Sequence, residues 1–538
     1  MKRVFVGLLA VIGLSLLSCF SAHALSSDAK LFVSADNTFY AYVKAGESVS
    51  AEFLRVPHEE PFDTVRGDVT ITLEGPDVPA EKCVAPRDAA IGQGCRFAPR
   101  IAEKTGIWRI QFSAPAAAKT YPEVSSVVKW GGNLFRWNIA VLSSGTEQHG
   151  RLWTERYAIR QPAAASFSGD FMYYYVSEDG YIYRASYKGY NGQISTLSAD
   201  AIGIRSGEGC VSAYQSTEVS NTKFSPALGS CGSAYKLFFE EPAGDLPAKA
   251  VTWDDKEDWV RPGISRPTVS ELNFMSDNST DQQSGTISFF LRNFIGQYQI
   301  KIDVDNDGSF DGQDDVAMNQ QMKKLSNGLQ SIRFDGADKA GQVISPRQTI
   351  GIKIEITKVA EIHLVAADVE GRSGGLELIR LNGDNAPTTR LCWNDTELPA
   401  LTDSLMTSLV DGRNCPDSTK GVHGWAYTDG SWGNARYVDD WIYASTTLEG
   451  KNTIIYPEAI QGQAAAVNRN WTAAIIAAVG GFVVIAIAIT VIVAKRRRRQ
   501  AAPVTPPEYQ PPVLFNAQYP PQDTSVPPGE TPPRSDRP

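Results

Sequence analysis

The chain has 538 residues, 42% of them apolar and 21% charged, with a formal net charge of −9. This is a globular composition, and the length predicts several domains rather than one core. The acidic balance argues against nucleic acid as a partner, because that interaction needs a basic footprint, and the cations at 495–499 sit together in one cluster.

Met1-Lys2-Arg3, the apolar run 4–17 and Ala22-His23-Ala24 have the three regions of a secretory signal peptide, so residues 1–24 are expected to be removed near Leu25. Leu16-Leu17-Ser18-Cys19 offers a competing lipoprotein reading, but the A-x-A site follows at once. Short runs rich in branched and aromatic residues then begin, at 31–33, 39–43, 49–54, 69–73, 108–112 and 137–141, with Gly, Pro and Asp between them. They predict a mainly β fold, with a first β-sandwich domain over 25–147. A second β-rich domain is expected over 148–264, where 171–176 and 181–184 flank Asp179-Gly180, a hairpin signal. The tyrosines here suit either strand packing or stacking on a sugar ring.

A third domain over 265–388 has expected strands at 286–291, 298–304, 349–356 and 361–368. Between the second and third of these runs Asp303-Val304-Asp305-Asn306-Asp307-Gly308-Ser309-Phe310-Asp311-Gly312-Gln313-Asp314. This segment places oxygen ligands at loop positions 1, 3, 5, 7, 9 and 12, namely Asp303, Asp305, Asp307, the Ser309 carbonyl, Asp311 and Asp314. Gly308 takes the sharp turn and Phe310 points inward. That is the spacing of a calcium loop, so a structural calcium ion is expected. Two features depart from an EF-hand: Asp314 has a shorter arm than Glu, and a strand precedes the loop instead of a helix. Downstream, Phe334-Asp335-Gly336-Ala337-Asp338-Lys339-Ala340-Gly341-Gln342 resembles the W-D-G turn of immunoglobulin-like modules found in flagellar hook-capping proteins and other bacterial surface proteins, with Phe for Trp. The resemblance implies tandem immunoglobulin-like sandwiches and no activity.

Residues 389–460 form a disulfide-bounded β segment containing His423, Trp425, Trp432 and Asp439-Asp440. The two aspartates are neighbours in an expected strand, so they face opposite ways and make a poor acid/base pair. Beyond Cys19 the cysteines fall into three near pairs, Cys83/Cys95, Cys210/Cys231 and Cys392/Cys415, as expected of disulfides in a secreted chain. The first pair is too closely spaced to be the inter-sheet bridge of an antibody domain.

After a stalk at 461–471 the uncharged run 472–494 reaches roughly 34 Å as a helix, enough for a hydrocarbon core of about 30 Å. Lys495 and Arg496 to Arg499 follow, which places 495–538 in the cytoplasm and the rest outside. That tail is proline-rich and expected to be disordered, and its Pro506-Pro507-Glu508-Tyr509 suits a cytoplasmic partner with a WW domain. No metalloprotease, P-loop, dinucleotide or nucleophile-elbow motif occurs, so no enzyme is expected. The reading is a type I, single-pass cell-surface protein for adhesion, ligand binding or envelope structure, its partner an extracellular protein or glycan. The alternatives are a membrane-anchored carbohydrate-binding or carbohydrate-active protein and a receptor signalling through its tail.

Overall fold

The computed structural model describes residues 32–33, 38–55, 68–113, 135–160 and 169–457, apart from 77, 87–88, 193, 208, 229–230, 265, 399–409 and 428–431. The expected signal peptide at 1–24 with Cys19, the expected stalk at 461–471, the run 472–494 and the segment 495–538 lie outside the described residues. Among those described, no helix is long and apolar enough to cross a membrane.

The chain is mainly β, as its alternating pattern requires. In Val69–Gly75, for example, Val69, Ile71 and Leu73 are buried while Thr70, Thr72 and Glu74 on the other face are half-exposed. Such strands assemble into a nine-stranded sheet ordered Gly371–Arg380, Ile182–Asn191, Gly169–Val176, Lys236–Phe238, Leu152–Thr154, Thr38–Val43, Gly106–Ser113, Val69–Gly75 and Val78–Ala85. Facing it is a fifteen-stranded sheet whose main path runs Thr217–Glu218, Arg436–Ala444, Ile350–Ala367, Ile194–Asp200, Arg156–Arg160, Phe32–Val33, Phe135–Ser143, Ser48–Arg55 and Gly94–Ile101. Aromatic rings fill the space between the sheets. Phe39 meets Trp137 at 5.0 Å, Phe53 meets Phe112 at 4.9 Å, and Tyr157 meets Tyr173 at 5.9 Å between ring centres.

Strands from all four expected ectodomain segments hydrogen-bond into these shared sheets. Tyr40 pairs with Trp153, Tyr183 with Arg380, and His363 with Trp441. The described residues belong to a single compact unit.

The region after residue 265 is built on long strands. Runs expected as separate strands at 286–291 and 298–304 are one strand, Gly285–Asp303, and those at 349–356 and 361–368 are one strand, Ile350–Ala367. Each crosses its weak point with a bulge, at Asn293 and at Ala360, whose φ values are 55° and 51°. The strand continues through each bulge instead of ending. Ile350–Ala367 pairs with Gly285–Asp303 along its first half and with Ile194–Asp200 and Arg436–Ala444 along its second, so it ties the hairpin region to the main sheet. Val316–Phe334, which completes the hairpin, carries Asn319, Gln320 and Gln321 and pairs with Gly285–Asp303 alone. A one-sided edge strand needs little apolar patterning, which is why the sequence does not announce it.

All three cysteine pairs are bonded as expected. The Cys83–Cys95 bridge, though not the bridge of an antibody domain, does run from sheet to sheet at their edges. Cys83 lies on Val78–Ala85, the edge of the nine-stranded sheet, and Cys95 on Gly94–Ile101, the edge of the other. The two edge strands follow one another in the chain, so a short loop suffices to pass between layers.

Candidate metal centre and buried ionic sites

The acidic segment closes the long hairpin. Asp303 is the last residue of Gly285–Asp303, and Ile302 pairs with Val316, so the loop starts and ends within a well-registered ladder. Opposite Asp303 stands Gly351, where an added Cβ would lie 3.1 Å from Asp303 Cβ and 3.2 Å from the Phe310 ring. Phe310 thus packs inward against the neighbouring strand, with Lys353 Nζ 5.7 Å from its ring centre.

Three carboxylates converge in the loop: Asp303, Asp305 and Asp315 each offer an oxygen within 4.8 Å of the others. Asp303 and Asp315 are buried and Asp305 is exposed. Backbone donors fix the buried pair. Gly308 N–H donates to Asp303 Oδ2 at 2.9 Å and Asp307 N–H to Oδ1 at 3.2 Å, while Val304 and Gly312 N–H donate to the two Asp315 oxygens at 3.1 and 2.7 Å. Burial, with the nearby Asp315 charge acting in the same direction, raises the Asp303 pKa against the lowering effect of those N–H groups. Hard carboxylate oxygens held close at an electrostatic cost suit a divalent cation such as calcium.

The other expected ligands are placed differently. Asp307 Oδ1 accepts the Ser309 N–H at 2.7 Å, and Asp311 turns outward to pair with Lys301 Nζ at 2.8 Å. The carbonyl of Asp314 accepts the Lys339 N–H at 3.2 Å, and the carboxylate of the next residue, Asp315, joins the cluster instead. Asp315 is one step past the twelve-residue pattern, which is why spacing alone overlooks it.

Two further ionic sites are invisible to motif searching. Asp439 and Asp440 on Arg436–Ala444 face opposite ways, as alternation requires, and each holds a buried histidine. Asp439 reaches His363 Nδ1 with both oxygens, at 2.9 and 3.0 Å. On the far side of the ring, His363 Nε2 is 3.6 Å from Glu361 Oε1, which also accepts the Tyr214 hydroxyl. Lys358 Nζ lies 3.8 Å from Glu361 and 3.5 Å from the Tyr214 ring centre. The Ala360 bulge anchors this group, its carbonyl accepting Tyr183 Oη–H from the facing sheet and the next carbonyl accepting Tyr235 Oη–H. Gly203, with φ of 68°, closes over it, and a Cβ there would sit 2.6 Å from both Asp439 Oδ1 and His363 Nδ1.

On the other face, Asp440 Oδ1 pairs with His423 Nδ1 at 2.6 Å and Oδ2 accepts Arg372 Nη1–H at 2.8 Å. His423 Nε2 contacts Asp395 Oδ2 at 2.7 Å, and its ring stacks on Trp393 with centres 4.9 Å apart. Burial alone would depress both imidazoles, but the flanking carboxylates outweigh it, holding His363 up at about 10 and His423 at about 9. His423 is held by carboxylates on both ring nitrogens, whereas His363 is hydrogen-bonded to a carboxylate through Nδ1 alone.

The tyrosine-rich hairpin offers no open stacking platform. Tyr173, Tyr175, Tyr183, Tyr187 and Tyr190 are buried in the core. Comparison of the chain with protein-family models and with curated proteins finds no match.

Proposed function

We propose that this is a type I, single-pass cell-surface protein whose β-rich outer region serves as a binding or structural scaffold, in the manner of immunoglobulin-like surface modules, braced by calcium. The observation that carries the calcium part is the meeting of Asp303, Asp305 and Asp315 at the mouth of the long hairpin. The burial of both histidine groups among ion-pair partners, away from the surface, supports a scaffold over a catalyst. The signal peptide at 1–24 and the run 472–494 with its trailing cations support the orientation. An extracellular protein or glycan is the partner outside, and the proline-rich tail is available to a partner inside.

Protease applied to intact cells is expected to remove the outer region and leave a fragment containing 472–538. Loss of a tag on Pro538 with the outer region intact would reverse the orientation.

Calcium at millimolar concentration is expected to raise the melting temperature of the full-length protein, because extracellular sites of this type bind with Kd of about 10⁻⁴ to 10⁻³ M. Magnesium should act more weakly, since it demands tighter octahedral geometry. Replacing both Asp303 and Asp315 with alanine should abolish the calcium shift, whereas Asp311→Ala should preserve it. Identical melting curves in calcium and in chelator would refute the calcium part.

A further inference from the structure

Glu361 and His363 stand two residues apart on Ile350–Ala367, just beyond the Ala360 bulge, so strand alternation puts both side chains on one face. Both side chains are 0% exposed. Each nevertheless carries a buried polar atom with no hydrogen-bond partner among the described residues, His363 Nε2 and Glu361 Oε2. Unsatisfied buried groups are rare in folded proteins, and two side by side mark a place for a ligand that satisfies both. His423, the other buried histidine described, has no such gap, since carboxylates meet both of its ring nitrogens.

Tyr214 brings a third donor to the same point. Its hydroxyl donates to Glu361 Oε1 and accepts Gln297 Nε2–H, at 2.6 Å, from Gly285–Asp303. Its backbone is in the left-handed region, φ 49°, and its carbonyl accepts Asn394 Nδ2–H at 3.3 Å. Behind the imidazole, Asp439 grips Nδ1 with both oxygens and leaves Nε2 facing Glu361, as carboxylates do for metal-binding histidines. At the mouth of the group stands Lys358, its side chain 19% exposed and its Nζ 3.8 Å from Glu361 Oε1. The ring centre of exposed Tyr443 is 4.7 Å from that nitrogen.

We propose that His363 Nε2, the Glu361 carboxylate and Tyr214 Oη bind one divalent transition-metal ion, with zinc the best match. An imidazole nitrogen beside anionic oxygens selects zinc or copper over calcium and magnesium, which prefer oxygen alone. Ligand bonds of about 2.0–2.2 Å at tetrahedral angles set neighbouring donor atoms roughly 3.3 Å apart. The 3.6 Å between His363 Nε2 and Glu361 Oε1 is close to that edge. Water completes the fourth position from the Lys358 side, and Lys358 turns outward along Tyr443 to admit the ion. The ion takes the Nε2 lone pair and the Tyr214 oxygen, and the protons those atoms carry in the metal-free protein pass to solvent. A charge of +2 enters as two protons leave, so the buried group keeps its total charge. This centre is separate from the oxygen-only loop at 303–315 and ties Ile350–Ala367 to the Tyr214 loop.

The test is equilibrium dialysis of the chelator-stripped full-length protein against zinc, followed by metal analysis, with excess calcium present throughout to occupy the hairpin loop. The expected result is one zinc per chain, with affinity lowered roughly tenfold or more by Glu361→Gln and by Tyr214→Phe. Both substitutions are nearly isosteric, and each variant is first checked for a cooperative melting transition. Copper in place of zinc should give a visible phenolate-to-metal charge-transfer band that Tyr214→Phe removes, which a hydroxyl with a purely structural role does not produce. Less than half an equivalent of zinc on the wild type would overturn the proposal, as would unchanged zinc affinity in both variants. Neither result bears on the calcium loop, which has its own melting test.

Discussion

Replacing Asp440 with alanine is expected to destabilise the protein by about 3–5 kcal/mol, the usual cost of breaking a buried, hydrogen-bonded charge pair. Asp440 is the only described carboxylate shared by Arg372 and His423, and all three are essentially sealed from water. Burial disfavours a charge on Asp440, yet Arg372 and His423 outweigh that and hold its carboxyl below the ordinary range. Without it, two cations face a single remaining carboxylate, Asp395. Neither cation can turn to solvent. Arg372 is pinned by donating to the His423 carbonyl from Nε and Nη2, at 3.1 and 2.8 Å, and lies 4.7 Å from the Trp425 ring centre. Asp440→Asn keeps the shape and loses the charge, so it should fall between wild type and Asp440→Ala. The check is the urea midpoint of each variant, and unchanged midpoints would show that the network contributes nothing.

Stability is expected to fall as pH rises from about 6 to about 10, opposite to a protein whose ionic groups are mainly salt-bridged carboxylates. His363 and His423 have folded pKa values of about 10 and about 9 against an ordinary 6.5. A group whose pKa is raised in the fold contributes fully below its unfolded value, and the contribution disappears as pH climbs through the folded value. Each histidine therefore makes stability fall with rising pH between its ordinary value and its own folded value. For the Asp439 and His363 pair, burial lifts the carboxyl and the carboxylates lift the imidazole, so the pair as a unit keeps its proton well above neutrality. Two buried acids add to the trend at lower pH, because desolvation lifts Asp179 to about 7 and Asp200 to about 6 against the pull of their hydrogen-bond donors. Their contribution is present below the ordinary carboxyl value and lost through those points. The melting temperature should therefore decline between pH 7 and 10, and His423→Gln, though less stable at neutral pH, should flatten the upper part of the curve. A melting temperature that stays level or rises over that interval would contradict the assignment.

The loop at 303–315 shows how far spacing reaches. Regular Asp and Gly positions mark a segment with cation-binding chemistry, and Asp303 and Asp305 do meet. Which third carboxylate joins them depends on how the hairpin closes. Registration of Ile302 with Val316 brings Asp315 inward, while Lys301 draws Asp311 to the surface. Spacing counts residues along the chain, and the ladder decides which way each side chain points.

By itself the sequence determined the mainly β character and most strand positions, because alternation and β-branched content act over a few residues. It also determined the cysteine pairing by proximity, and the opposed faces of Asp439 and Asp440, because the pleat has a period of two. Only the tertiary structure decided that strands from 38–43, 152–154, 236–238 and 371–380 share one sheet, that Cys83–Cys95 spans two layers, and that His363, Glu361, Tyr214 and Asp439 form one buried group. Those depend on contacts between residues two hundred or more positions apart, such as Ile182 N–H donating to Asn382 Oδ1 and Asp439 N–H donating to Ser216 Oγ, for which no local pattern exists. The physical reason is that a strand's own residues specify which face is apolar, whereas its neighbour is chosen by the summed fit of the whole sandwich.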